Sequence, residues 1–141
     1  MRFLFIFRNV FDVAQSFNAR TEGGKWDKNR DYTAAVAEWN MSLVQTLKFI
    51  RDGGNVLCLE YEELFWGGVK SELIENFLGL PTSDSYNNQL DLVVKKSAQL
   101  DQKREGGLTT PQKQYIMHNA NFKAYKEILR LSLLQRGKVN P

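Results

Sequence analysis

Phe3 to Ser16 reads FLFIFRNVFDVAQS, and the reading of this stretch decides the fold. Five consecutive apolar residues, Phe3 to Phe7, are too few for a globular helix. They also lack the alternation of a half-exposed strand, so they predict a strand buried on both faces, as in a parallel sheet. Arg8 and Asn9 follow at the strand's carboxyl end, and the spacing then turns helical, with Val10, Val13, Ala14 and Phe17 on one face. Asn9 is placed to cap this helix. Asp12, at the third helical position, suits its unpaired amides and the positive end of its dipole. The helix is expected to run to about Arg20 and to leave through Gly23-Gly24.

A strand feeding a helix through a short polar turn is where open α/β sheets hold ligands. This turn offers a permanently charged Arg8, a helix N-terminus and the Ser16 hydroxyl two turns in, a combination suited to phosphate. The same residues also fit a plainer description, in which Arg8 caps a strand in solvent and Ser16 is a surface helix serine.

Outward from this stretch, Asp31 to Ile50 carries an apolar stripe at Tyr32, Val36, Trp39, Leu43, Leu47 and Ile50, the spacing of a long helix that Gly53-Gly54 ends. Asn55 to Tyr61 (NVLCLEY) is a second short apolar run, and two strands separated by helices imply a right-handed parallel crossover. Ser71 to Leu78 predicts a short helix stopped by Gly79 and Pro81. From Thr82 to Gly107 the chain turns polar, and 82–110 is expected to be a lid or binding loop. Thr110-Pro111 opens a last helical stretch, striped by Tyr115, Phe122, Tyr125, Ile128 and Leu129, with a break near Asn119 to Asn121 and an end at Gly137. The expected fold class is α/β, one domain with at least two parallel strands and four or five helices.

Composition narrows the partners. A formal charge of +3 and a pI near 9.0 suit an anionic ligand, but the scattered Lys and Arg form no basic helix, so nucleic acid is not indicated. Cys58 stands alone and predicts no internal disulfide, which fits a reducing, cytoplasmic setting. MRFLFIF is too short for a signal peptide and no run reaches membrane-spanning length. Gly24-Lys25 is followed by Trp26 and lacks the earlier glycine of a Walker A loop, so Lys25 reads as a surface turn residue. Glu62 and Glu63 read as structural or solvated, and His118 as a surface histidine. No HExxH, GxSxG or paired CxxC motif offers another chemistry, and no metal is expected.

Arg8-Asn9, Asp12-Val13-Ala14 and Ser16 together resemble the 3′-phosphate signature of the sulfotransferases that use 3′-phosphoadenylyl sulfate (PAPS), with Val10 in place of the usual proline. Trp39-Asn40, Tyr61-Glu62-Glu63-Leu64 and the FLGLP ending of the short helix are similar to later segments of that family. The resemblance implies that Arg8 and Ser16 grip the nucleotide's 3′-phosphate and that Tyr61 lies near the adenine, although Tyr61 also fits a core position. Lys103 and Arg104, in Lys103-Arg104-Glu105-Gly106, loosely resemble a late segment that closes over the same phosphate; they fit equally a solvated cluster before a glycine turn. It further implies a P-loop-type fold, PAPS as sulfuryl donor and a hydroxyl or amine acceptor that the residues do not identify. In the family, a glycine- and lysine-containing loop upstream of this signature neutralises the leaving phosphate, and nothing before Arg8 can form it. Residues 1–141 therefore resemble the carboxyl-terminal part of such a domain, expected to be inactive alone and to associate with itself or with an amino-terminal half. The alternatives are a non-catalytic nucleotide-binding or interaction module of the same fold, or a kinase-like phosphate-handling protein.

Overall fold

The computed structural model describes residues 1–66, 69–81 and 107–137. Strand β1 (Arg2–Phe7) leads into helix α1 (Val10–Glu22), followed by α2 (Tyr32–Arg51) and strand β2 (Asn55–Glu60). Helices α3 (Tyr61–Phe65), α4 (Ser71–Leu78), α5 (Thr110–Asn119) and α6 (Phe122–Gln135) complete it. The mixed α/β class and the two parallel strands are as the sequence implied. The strands pair from Arg2 with Asn55 to Phe7 with Glu60. Six described helices exceed the four or five expected, because Tyr61 opens the short α3 instead of ending β2.

Local chemistry accounts for the boundaries. The Asp31 carboxylate accepts from the Thr33 amide at 2.9 Å and starts α2. Gly54 leaves α2 where a Cβ would lie 2.1 Å from the Phe49 ring, so a larger residue there would force that ring to move. Gly79 closes α4 in the left-handed region at φ 72°. At α5 the cap is Thr109, one residue before the expected Thr110. Thr109 and Gln112 bond each other's backbone amides in a capping box, and Pro111 follows in the first turn.

The register divides the core into two. Val56, Cys58, Phe5 and Phe7 face α1, α2, α5 and α6, where Val10, Ala14, Val36, Trp39, Leu43, Ile116 and Ile128 close the larger cluster. Leu57 and Leu59 point to the other face, against Leu64 of α3 and Ile74 of α4. Burying a Leu or Ile as fully as Leu43, Leu59, Ile116 and Ile128 are contributes about 1.5–3 kcal/mol each. In α5 it is Ile116, not the expected Tyr115, that fills the core; Tyr115 is exposed.

β1 departs from expectation. Phe7 is buried, but Phe3, Leu4 and Ile6 are 42%, 37% and 46% exposed. Its sequence is that of an inner strand, yet among the described residues only β2 lies beside it. β2 is closed on its other side, where α6 supplies side chains in place of a strand. Ser132 Oγ donates to the Cys58 carbonyl at 2.6 Å. Gln135 accepts from the Cys58 amide at 2.9 Å and donates to the Val56 carbonyl at 2.6 Å. Among the described residues no helix is long and apolar enough to cross a membrane.

Candidate functional site

Both strands of a parallel pair end on the same side, and the turns after them bring distant residues together. After β1, Asn9 caps α1 by accepting from the Asp12 amide at 3.0 Å, and its side-chain amide donates to Asp12 Oδ2 at 2.5 Å. This exchange fixes the turn that carries Arg8. After β2, α3 begins at once and presents Tyr61 and Glu62 towards Arg8.

The Arg8 guanidinium is the hub of the cluster. Its Nε donates to Glu62 Oε1 at 2.7 Å and lies 3.4 Å from Asp12 Oδ2. The Tyr61 ring lies 4.3 Å from the guanidinium carbon, and the Trp66 ring 6.0 Å. Tyr61 in turn packs on Phe65 and Trp66, with ring centroids 4.4 and 5.9 Å away. The Arg8 side chain is only 16% exposed, so these interactions are weakly screened compared with a surface pair. The Arg8 carbonyl accepts from the Trp39 indole at 2.8 Å, which ties the turn to α2. Trp39 is thus a core residue that also fixes the site's backbone.

The surrounding field is acidic. Burial, and then the Glu62 and Glu63 carboxylates, raise the Glu60 carboxyl above its ordinary value, while Arg136 pulls it down. Arg136 donates to Glu63 Oε2 at 3.1 Å. Tyr125 of α6 packs on Phe7 and Trp39, at 5.9 and 5.3 Å between centroids. Burial first, then Glu60, Glu62 and Asp12, push its phenol up to about 12. Among the described residues around Arg8 the carboxylates outnumber the cations, so an incoming phosphate competes with Glu62 and Asp12 for the guanidinium.

Of the expected site residues, Arg8 and Tyr61 are brought into contact. Ser16 lies two turns along α1, half-buried, and no hydrogen bond or ion pair among the described residues joins it to Arg8. Lys103 and Arg104, with 82–106 of the expected lid, lie outside the described residues. Glu62 and Glu63, read as structural, are so, each as an ion-pair partner. His118 and Lys25 are exposed. Glu60 and Tyr125 were missed: the first looked like the end of a strand and the second like one tooth of a helical stripe. Among the described residues no cluster of three or more His, Cys, Asp or Glu side chains could hold a metal ion.

The arrangement can bind and orient through one fixed guanidinium, one aromatic face and a capped helix start. No described group is placed as a nucleophile with its base. Compared with protein-family models, with curated proteins and with solved structures, the chain matches none.

Proposed function

We propose that this chain is a sulfotransferase-like nucleotide-binding unit of P-loop-type fold that holds PAPS, or the bisphosphate left after sulfuryl transfer, by its 3′-phosphate. One observation carries the reading: two parallel strands deliver Arg8 and Tyr61 side by side at their carboxyl ends, beside the capped start of α1. That is where open α/β sheets bind ligands, and these are two of the residues that the family resemblance singles out. In this reading Glu62 holds Nε and sets the guanidinium plane, the phosphate binds its terminal nitrogens with Ser16, and Tyr61 lies along the adenine. Lys103 and Arg104 are proposed from the resemblance alone to close over the same phosphate. The sulfuryl group would pass to a hydroxyl or amine acceptor when the phosphosulfate loop is supplied. The buried thiol of Cys58 suits a reducing setting such as the cytoplasm.

A second reading, a non-catalytic interaction module of the same fold, is favoured by the two carboxylates that already neutralise Arg8. Titration calorimetry with adenosine 3′,5′-bisphosphate and with 5′-AMP separates the readings. The sulfotransferase-like reading expects binding that depends on the 3′-phosphate. A charged hydrogen bond of roughly 1.5–3 kcal/mol makes Arg8→Ala about ten- to a hundred-fold weaker, and Ser16→Ala less so. Equal affinity for both nucleotides points to a kinase-like protein, and absence of binding to the interaction module.

A further inference from the structure

Two edges bound the sheet, and they differ. On β2, the Val56 carbonyl and both main-chain groups of Cys58 turn outward and are taken by Ser132 and Gln135. Successive residues of a strand address opposite neighbours, so Leu57 and Leu59 are the ones that bond β1. In a parallel ladder a residue bonds the two flanking its partner. Leu57, opposite Leu4, therefore engages Phe3 and Phe5, and Leu59 engages Phe5 and Phe7. The N–H and C=O groups of Leu4 and Ile6 are left facing the other way. No turn, loop or cap hydrogen bond among the described residues reaches them.

The side chains around this open edge are apolar on both faces. Phe3 and Phe49, whose rings meet edge to face at 5.1 Å, are 42% and 39% exposed on the α2 side. Leu4 and Ile6 are exposed on the α4 side. Between β1 and α2 run two hollows of about 380 and 300 Å³, both lined by Phe5 and walled by Glu38, Ser42, Gln45 and Phe49 at helical spacing.

We propose that this edge is a dimer interface, on which a second copy of the chain lays its own β1 antiparallel about a two-fold axis perpendicular to the sheet. Three features favour a second copy. First, such an axis keeps the faces of the sheet, so the exposed Phe3 of each copy enters on the α2 side, where the other's hollows lie. Second, with Leu4 opposite Leu4 of the second copy, Arg2 falls opposite Ile6 and Phe3 opposite Phe5. Every pair then includes an apolar partner, and the outward main-chain groups of Arg2, Leu4 and Ile6 meet their like. A register centred on Phe5 would instead set Arg2 against Arg8, a like-charge pair. Third, the exposed parts of Phe3, Leu4, Ile6 and Phe49 amount to on the order of 300 Å² per copy. Doubled, and with the strand edges and the walls of the hollows added, this approaches the roughly 1,000 Å² that separates specific interfaces from casual contacts.

The experiment is sedimentation velocity of the full chain over a concentration series, with circular dichroism to follow the fold. The wild-type chain is expected to move from monomer to dimer and stop there. Ile6→Lys and Leu4→Lys place a charge on an already exposed edge and should weaken dimerisation at least about ten-fold with the helix signal kept. Ile6→Pro removes an outward amide that β2 does not use and should act likewise. Leu4→Cys puts a thiol at the axis. Opposed residues of a hydrogen-bonded antiparallel pair have Cα atoms about 5.5 Å apart, so it should oxidise to a covalent dimer. A chain that stays monomeric throughout overturns the proposal and leaves the edge to a strand of another polypeptide. So does a dimer indifferent to all three edge substitutions, or association that never levels off at two. None of these readouts involves nucleotide, so they stand or fall apart from the proposed function.

Discussion

Cys58 and Tyr125 hold their protons more tightly in the folded chain than in the unfolded one. Burial pushes the Cys58 thiol from 9.0 up to about 11. Burial and the nearby carboxylates push the Tyr125 phenol from 10.0 up to about 12. The sign follows directly. Well below pH 9 both groups are protonated in either state and cost nothing. As the pH rises from 9 towards 12 the unfolded chain releases protons that the folded chain keeps, so stability falls. Urea midpoints measured across this range should decline, and the decline should be shallower in Cys58→Ala and in Tyr125→Phe. A wild-type midpoint constant from pH 9 to 11 would contradict the burial assigned to Cys58. Arg8 sits between the Glu62 and Asp12 carboxylates and the Tyr61 ring. Its place beside a helix start could be read from the order strand, Arg-Asn, helix. Its ion pair with Glu62 could not, since the two stand 54 positions apart and Glu62 carries no periodic signal.

Helix and strand positions were largely legible because most elements carry their own punctuation. Asp31, Gly53-Gly54, Gly79 and Gly137 each end or start an element by backbone chemistry that operates over a few residues. The misreading in α5 has a specific cause. The break near Asn119 to Asn121 is expected, but Tyr115 is still placed on one stripe with Phe122; the turn at Ala120-Asn121 resets the phase, so Ile116 faces the core. Asn40 holds that turn, donating to the Asn119 carbonyl at 2.8 Å and accepting from the Asn121 amide at 2.7 Å. Such a bridge across 79 to 81 positions leaves no local trace. The link between α6 and β2 is equally invisible in the sequence and more consequential. Gln135→Ala would leave the Val56 carbonyl and the Cys58 amide without partners at a part-buried edge, costing about 1–3 kcal/mol for each group that water does not reach. Gln135→Glu, which can accept from the Cys58 amide but cannot donate to Val56, should fall between. Chemical denaturation of the three proteins would check the order, and an unchanged midpoint in Gln135→Ala would mean that α6 does not hold this edge.

At the scale of the whole molecule, the two edges of the sheet should be distinguishable by amide hydrogen exchange. The Cys58 amide is bonded to Gln135 and should exchange slowly at every protein concentration. The amides of Leu4 and Ile6 should exchange quickly in dilute solution and slow down as the chain is concentrated. Equal rates at Cys58 and Leu4 in the dilute sample would contradict the difference between the edges. That difference also limits what can be built. In the language of polymer chemistry, a sheet with two open edges is a bifunctional monomer, which joins end to end without limit and yields fibres. Ser132 and Gln135 make this chain monofunctional. Among the described residues its one open edge is consumed in the first pairing, which leaves the sheet none to offer. An apolar strand that would otherwise seed unlimited stacking is restricted, by two polar side chains on a helix at the far edge of the sheet, to one finite assembly.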